Sequence, residues 1–164
     1  MSKSKRVLEW KMDTIQTANA TPVNGRIEFG LRDDQIAEIH KIESHIAANM
    51  IEDSGDQLVC GYKTISMDPD VAEDPADGDN NEDLEKFAFH SYQVQLQVGA
   101  AGTSTLRLND EVTREYDPPV LVGTDVGQVV KGHASIAMDF WTRVFFTRRK
   151  ATASELNRIL LKRR

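Results

Sequence analysis

The sequence predicts a mainly β protein, an antiparallel β-sandwich or single jelly roll with a short C-terminal helix. Three observations carry this. Residues 87–98 and 136–147 alternate in side-chain character with the two-residue period of a strand. Seven or eight segments of that kind are separated by turn-forming clusters of Gly, Pro, Asn and Asp, a count that at 164 residues favours a two-sheet sandwich. Helical spacing with a clear start signal occurs once, where Thr152-Ala153-Ser154-Glu155 fits a capping box ahead of Leu156, Ile159 and Leu160.

Residues 5–17 accommodate a first strand, and Thr21-Pro22-Val23-Asn24-Gly25 is a turn cluster. Ile27, Phe29 and Leu31 then alternate with Arg26, Glu28 and Gly30 as a half-buried strand does. Ile36, Ile39, Ile42, Ile46 and Met50 recur at three- and four-residue steps, which reads as a helix face, whereas β-branching favours a strand. The reading adopted is a helical turn at 33–37, with Asp33 as its cap, and a strand to about residue 50. Ser54-Gly55-Asp56 turns the chain, so 39–51 and 57–66 read as a hairpin. In 87–98 the set Ala88, His90, Tyr92, Val94, Leu96 and Val98 is the more apolar and is assigned to the core. Gly99 to Gly102 turns the chain, Leu106 and Leu108 open another strand, and Asp117-Pro118-Pro119 interrupts it before Val120-Leu121-Val122. Short segments at Val126 and Val129-Val130 follow. In 136–147, Ile136, Met138, Phe140, Val144 and Phe146 share one face, and Trp141 and Phe145 enrich the other, which predicts a central or interface strand.

The charge is segregated. The chain carries a formal net charge of −6. Residues 1–11 hold Lys3, Lys5, Arg6 and Lys11 against Glu9, a net of +3, and residues 143–164 hold eight cations against Glu155, a net of +7, which leaves −16 for residues 12–142. Three units follow: a basic arm over 1–11, the sandwich over 12–150, and a basic helix over 151–164. Opposite charge on body and ends favours contact between copies of the chain, or contact of the ends with an acidic partner. Basic ends that are only solvated, or that stabilise the helix through its dipole, are the plain alternative. Within the body, 67–85 holds nine acidic residues and no lysine or arginine, the pattern of a long exposed loop.

Composition and motifs narrow the function. Hydrophobic residues at 40% and charged residues at 28% suit a folded domain. No run approaches the roughly 18 apolar residues of a membrane-spanning helix, and Met1–Arg6 leads into no apolar signal region. The single cysteine, Cys60, has no intramolecular partner and reads as a buried inert thiol. His40, His45, His90 and His133 include no i, i+4 pair for zinc. Asp74, Asp77, Asp79, Asn81 and Asp83 are oxygen donors suited to calcium, but in an EF-hand register starting at Asp77 the sixth position is Glu82 where glycine is needed, so a solvated loop is the stronger reading. Asn19-Ala20-Thr21 matches a glycosylation acceptor without a secretion signal to support it. No nucleophile elbow or phosphate loop is present. Neither a catalytic residue, a metal nor a cofactor is therefore assigned.

The order of elements resembles the small single jelly-roll coat proteins of icosahedral viruses. The matching features are the short charged arm Met1–Arg6, about eight strands, the insertion at 67–85, the Asp117-Pro118-Pro119 break, and strand 136–147 followed by a basic tail. The resemblance implies a self-assembling shell subunit, located in the virion after assembly in the host cytoplasm, whose partners are its own copies and other coat proteins. It implies that the termini reach neighbouring subunits or the particle interior. The arm here is shorter and less basic than the common pattern, which favours subunit contact over genome binding; only non-specific contact of the basic ends with nucleic acid is kept. The residues assigned to subunit contacts are Trp141, Arg148, Arg149, Lys150, Leu156, Ile159, Leu160, Lys162, Arg163 and Arg164. The contending reading is a non-catalytic binding module, carbohydrate-binding or adhesion-like, which needs exposed aromatics drawn from Trp10, Tyr62, Tyr92, Tyr116 and Trp141. A cupin-type enzyme ranks third, because it needs a histidine cluster to which only His90 and His133 could contribute.

Overall fold

The computed structural model describes residues 7–18, 20–53, 57–67, 74–75, 86–96, 104–134 and 136–161. Eight strands are present: β1 (Glu9–Thr17), β2 (Val23–Ile27), β3 (Gln35–Asp53), β4 (Gln57–Ser66), β5 (Lys86–Leu96), β6 (Ser104–Val122), β7 (Val126–Lys131) and β8 (Met138–Lys150), followed by helix α1 (Ala153–Leu161). They form two antiparallel sheets, ordered β1-β8-β3-β6 and β2-β7-β4-β5. The pairing is nested: β4 with β5, β3 with β6, β2 with β7 and β1 with β8. Successive nested pairs fall in alternate sheets, which wraps one long antiparallel ribbon around a common core as a jelly roll.

The core lies where alternation places it. Met138, Phe140, Thr142, Val144 and Phe146 of β8 are buried, with Ile42, Ser44 and Ile46 of β3 beside them. Ala88 and His90 of β5 point inward as expected, while Ser91 and Gln93 are exposed. At Gly61 the sheets approach so closely that a Cβ would lie 2.6 Å from Met138 Cε and 2.9 Å from Ile46 Cγ2.

Three sequence expectations are corrected. Segments 39–51 and 57–66 are not a hairpin: β3 and β4 belong to different sheets, and the chain crosses between them after Asp53. No helical turn occupies 33–37; a tight turn closed by Gln35 N–H to Arg32 O (2.8 Å) leads straight into β3. The helix-like step from Ile39 to Ile42 is a bulge, for the register shifts between Ile39 and Lys41 and both isoleucines end up buried. The strand read at 27–31 ends at Ile27. Phe29 is still fully buried, but its N–H is held by Asp125 Oδ1 (3.1 Å) and Gly30 adopts φ +62°.

The break at Asp117-Pro118-Pro119 takes the form of the same bulge. Glu115 pairs with Lys41 and Val120 with Ile39, so residues 116–119 stand opposite His40 alone, with a cis bond at Asp117-Pro118. The boundary drawn at residue 11 falls inside β1, which begins at Glu9. α1 starts at the predicted capping box: Thr152 N–H donates to Glu155 Oε2 (2.9 Å), and Glu155 N–H donates to Thr152 Oγ1 (3.3 Å).

Candidate interaction face

The solvent side of sheet β1-β8-β3-β6 gathers aromatic and cationic side chains. Strand register puts Trp10 of β1 beside Phe145 of β8, and Trp141 of β8 beside His45 of β3. The Arg143 guanidinium lies 5.3 Å from the Trp10 ring and 5.6 Å from the Trp141 ring, between the two indoles. Trp141 stacks on His45 at 4.9 Å and 20°, and His45 Nε2 meets Asn109 Oδ1. Lys41 sits 4.4 Å from the Phe145 ring and 2.6 Å from Glu43, which also accepts from Arg143 (3.2 Å). Trp141 and Phe145 were legible as one face of β8, and Trp10 as a candidate exposed aromatic; Arg143 and Lys41 join them only in the structure.

At the N-terminal end of this face, Leu8, Trp10 and Met12 are 59%, 57% and 50% exposed, and Val7, just ahead of β1, is 71% exposed. β1 is an edge strand, so these side chains border an open row of backbone groups. The opposite edge, β6, carries exposed Glu111, Arg114, Glu115, Asp117 and Pro118.

Among the predicted C-terminal contact residues whose side chains are described, Arg148 and Arg149 are engaged within the chain. Arg148 donates to Glu9 Oε2 (2.5 Å) and to Gly30 O (3.5 Å). Arg149 bonds Glu38 Oε1 (2.6 Å) and Glu155 at both carboxylate oxygens (2.5 and 2.9 Å). These contacts raise Arg149 above its ordinary range, and Arg149 with the Thr152 cap holds Glu155 well below the usual carboxylate range. Lys150, mostly exposed, lies 3.5 Å from Asp34. Leu156 is half-buried. The side chains of Ile159 and Leu160, and all of Lys162, Arg163 and Arg164, lie outside the described residues, as do Asn19, Asp77, Asp79, Asn81 and Asp83. Asp74 is within reach of Lys131 Nζ at 2.5 Å.

Beneath the face runs a buried polar chain that the sequence reading missed. Lys63 of β4 is fully buried and crosses the sandwich to donate to Trp141 O (2.7 Å), Thr142 Oγ1 (3.0 Å) and His45 O (3.2 Å). The Thr142 hydroxyl donates to Gln128 Oε1 (2.7 Å), and Gln128 donates to Asp13 Oδ2 (2.6 Å). Burial pushes Lys63 down to about 7. The signal was its parity: Val59, Gly61, Lys63 and Ile65 share the buried face of β4. Next to it, His90 Nε2 pairs with Asp110 Oδ2 (2.8 Å) and Nδ1 with Ser44 Oγ (2.8 Å). Burial lowers His90, against the pull of Asp110. The order Ser–His–Asp is that of a hydrolase triad. Here, however, Ser44 is 5% exposed and the adjoining cavity holds about 10 Å³, room for one water and not for a substrate. The cluster is a satisfied core network. Cys60 is half-buried rather than buried.

His90 and His133 are not brought together: His133 Nδ1 contacts Ala134 O at 2.8 Å. No group of three or more potential metal ligands occurs among the described residues, and no helix among them is long and apolar enough to cross a membrane. No family model and no curated protein matches the chain.

Proposed function

We propose that the chain is a structural shell subunit of a virion, associating with copies of itself through the outer surface of sheet β1-β8-β3-β6 and its β1 edge. The observation that carries this reading is the exposed apolar run Val7, Leu8, Trp10 and Met12 on the edge of a jelly roll whose interior is filled. Jelly rolls serve as capsid, lectin and cupin domains. The cupin use needs a histidine-lined chamber, whereas His90 here is consumed by Ser44 and Asp110. Capsid use needs lateral surfaces that close on neighbours, which suits an open apolar edge. Electron microscopy of the purified full chain tests it: closed particles or rings of uniform size are expected, and separate single domains at every concentration would contradict it.

A second reading, a carbohydrate-binding or adhesion-like module, draws on Trp10 and Trp141 flanking Arg143, since sugar rings stack on indoles. Titration of tryptophan fluorescence with a panel of glycans separates the two. Saturable quenching by one glycan, with the chain monomeric, favours the module.

A further inference from the structure

We infer that two copies of the chain pair antiparallel through β1, about a two-fold axis at Trp10, to make one continuous eight-stranded sheet. The inference rests on the shell reading only in taking the partner to be another copy.

The edge comes first. Four strands lie at sheet edges, and they differ in protection. β2 is five residues long, β5 exposes Ser91 and Gln93, and β6 carries charges, a proline and the large bulge. Each is an ordinary defence against edge pairing. The first half of β1 has neither proline nor bulge, and its charges, Glu9 and Lys11, alternate with exposed apolar side chains. Its contacts with β2 involve Asp13 and Ile15, which approach Gly25, so residues 7–12 extend past the short β2.

Register comes second. A two-fold axis normal to the sheet places like faces side by side, so the pairing must centre on one residue. Centred on Trp10, the outer face pairs Trp10 with Trp10 and Leu8 with Met12 on both sides of the axis. On the inner face the same register pairs Glu9 with Lys11, twice. Neighbouring choices fail on charge: a centre at Lys11 opposes two lysines and sets Glu9 against Asp13, and a centre at Glu9 opposes two glutamates. A centre at Met12 pairs Lys11 with Asp13, but it sets Trp10 against Thr14 and Leu8 against Gln16, so the exposed apolar side chains do not meet. Only the Trp10 register joins the exposed apolar side chains while matching opposite charges. Lys11 is exposed and forms no ion pair among the described residues, and Glu9, though bonded to Arg148, is half-buried at the edge.

Charge reversal tests this on the full chain. Glu9→Lys sets the new lysine against Lys11 of the other copy, and Lys11→Glu sets the new glutamate against Glu9. Each variant alone should associate roughly tenfold more weakly than the parent in sedimentation equilibrium. An equimolar mixture restores both opposite-charge pairs across the axis and should regain the parent affinity. Trp10→Lys places two cations on the axis and provides a route to the monomer independent of Glu9, whose bond to Arg148 matters for the fold. Circular dichroism melts confirm that the variants are folded. A monomeric parent chain, a Lys11→Glu variant that associates as the parent does, or a mixture no stronger than its parts would overturn the inference. Particles formed by Lys11→Glu would sink this contact and leave the shell reading standing, whereas stable pairs that never form particles would do the reverse.

Discussion

The two ends of the described chain lie side by side, joined by Arg148 and Glu9, yet they are finished in different ways. Among the described residues, the C-terminal end is tied to its own chain. Arg149 links Glu38 of β3 to Glu155 of α1, Thr152 caps the helix, and Arg148 reaches back to β1. The N-terminal end is open among the described residues, with Val7, Leu8, Trp10 and Met12 half exposed or more along or just ahead of an edge strand. Charge counting alone assigned assembly to the C-terminal end, because it is the more basic. Counting does not locate the carboxylates, and those nearest Arg148 and Arg149 belong to the same chain. Opposite charge in a sequence is as readily satisfied within a subunit as between subunits.

The largest test of this contrast is Arg149→Ala. It removes the guanidinium that lies 2.6 Å from the Glu38 carboxylate, a buried residue at 7% exposure, and should cost about 3 kcal/mol, a fall of roughly 9 °C in melting temperature. A variant that melts like the parent but associates less would return Arg149 to the outside contact.

Lys63 sharpens the contrast, being a buried cation whose described bonds go to two carbonyls and a hydroxyl instead of a carboxylate. Its value in the fold is about 7 against an ordinary 10.5. Between these values the unfolded chain binds more protons, so stability rises with pH across the window and is lost as pH drops towards 7. From pH 7 to 8.5 the gain should approach about 2 kcal/mol. His90, lowered from 6.5, titrates below this window. Urea midpoints at the two pH values should separate for the parent and converge for Lys63→Met; equal separation in both would show that Lys63 carries no such penalty.

Smaller effects follow at the ends themselves. Thr152→Ala should cost about 1 kcal/mol and speed amide exchange in the first turn of α1. Trp10→Ala should cost about 0.5 kcal/mol of stability, since the ring is more than half exposed and its described ring contact is with Arg143, while weakening association. A large loss of stability would mean that Trp10 is part of the fold and not of a contact.

The strands themselves were largely legible, because alternation in 87–98 and 136–147 follows directly from which face is buried. Strand partners were not. The Ile–Ile spacing of β3 records a bulge as easily as a helix, and nothing local says that β3 and β4 separate into two sheets. The capping box was readable because its reciprocal bonds are local in sequence. The aromatic face was readable at Trp141 and Phe145, which alternate along one strand, whereas Trp10 reaches it through the pairing of β1 with β8, more than a hundred residues away. Lys63 was hidden by the habit of placing lysine in solvent, although its parity with Val59 and Ile65 marked it as inward.

Molar mass by light scattering, followed from low to about 1 M salt, tests the central claim most directly, that copies associate and do so through an apolar edge. At that ionic strength the screening length falls to about 3 Å and exposed charges lose most of their reach. A mass of two or more chains that persists at high salt is the expected result. A single-chain mass at all concentrations, or an assembly that falls apart to monomers as salt rises, would contradict it.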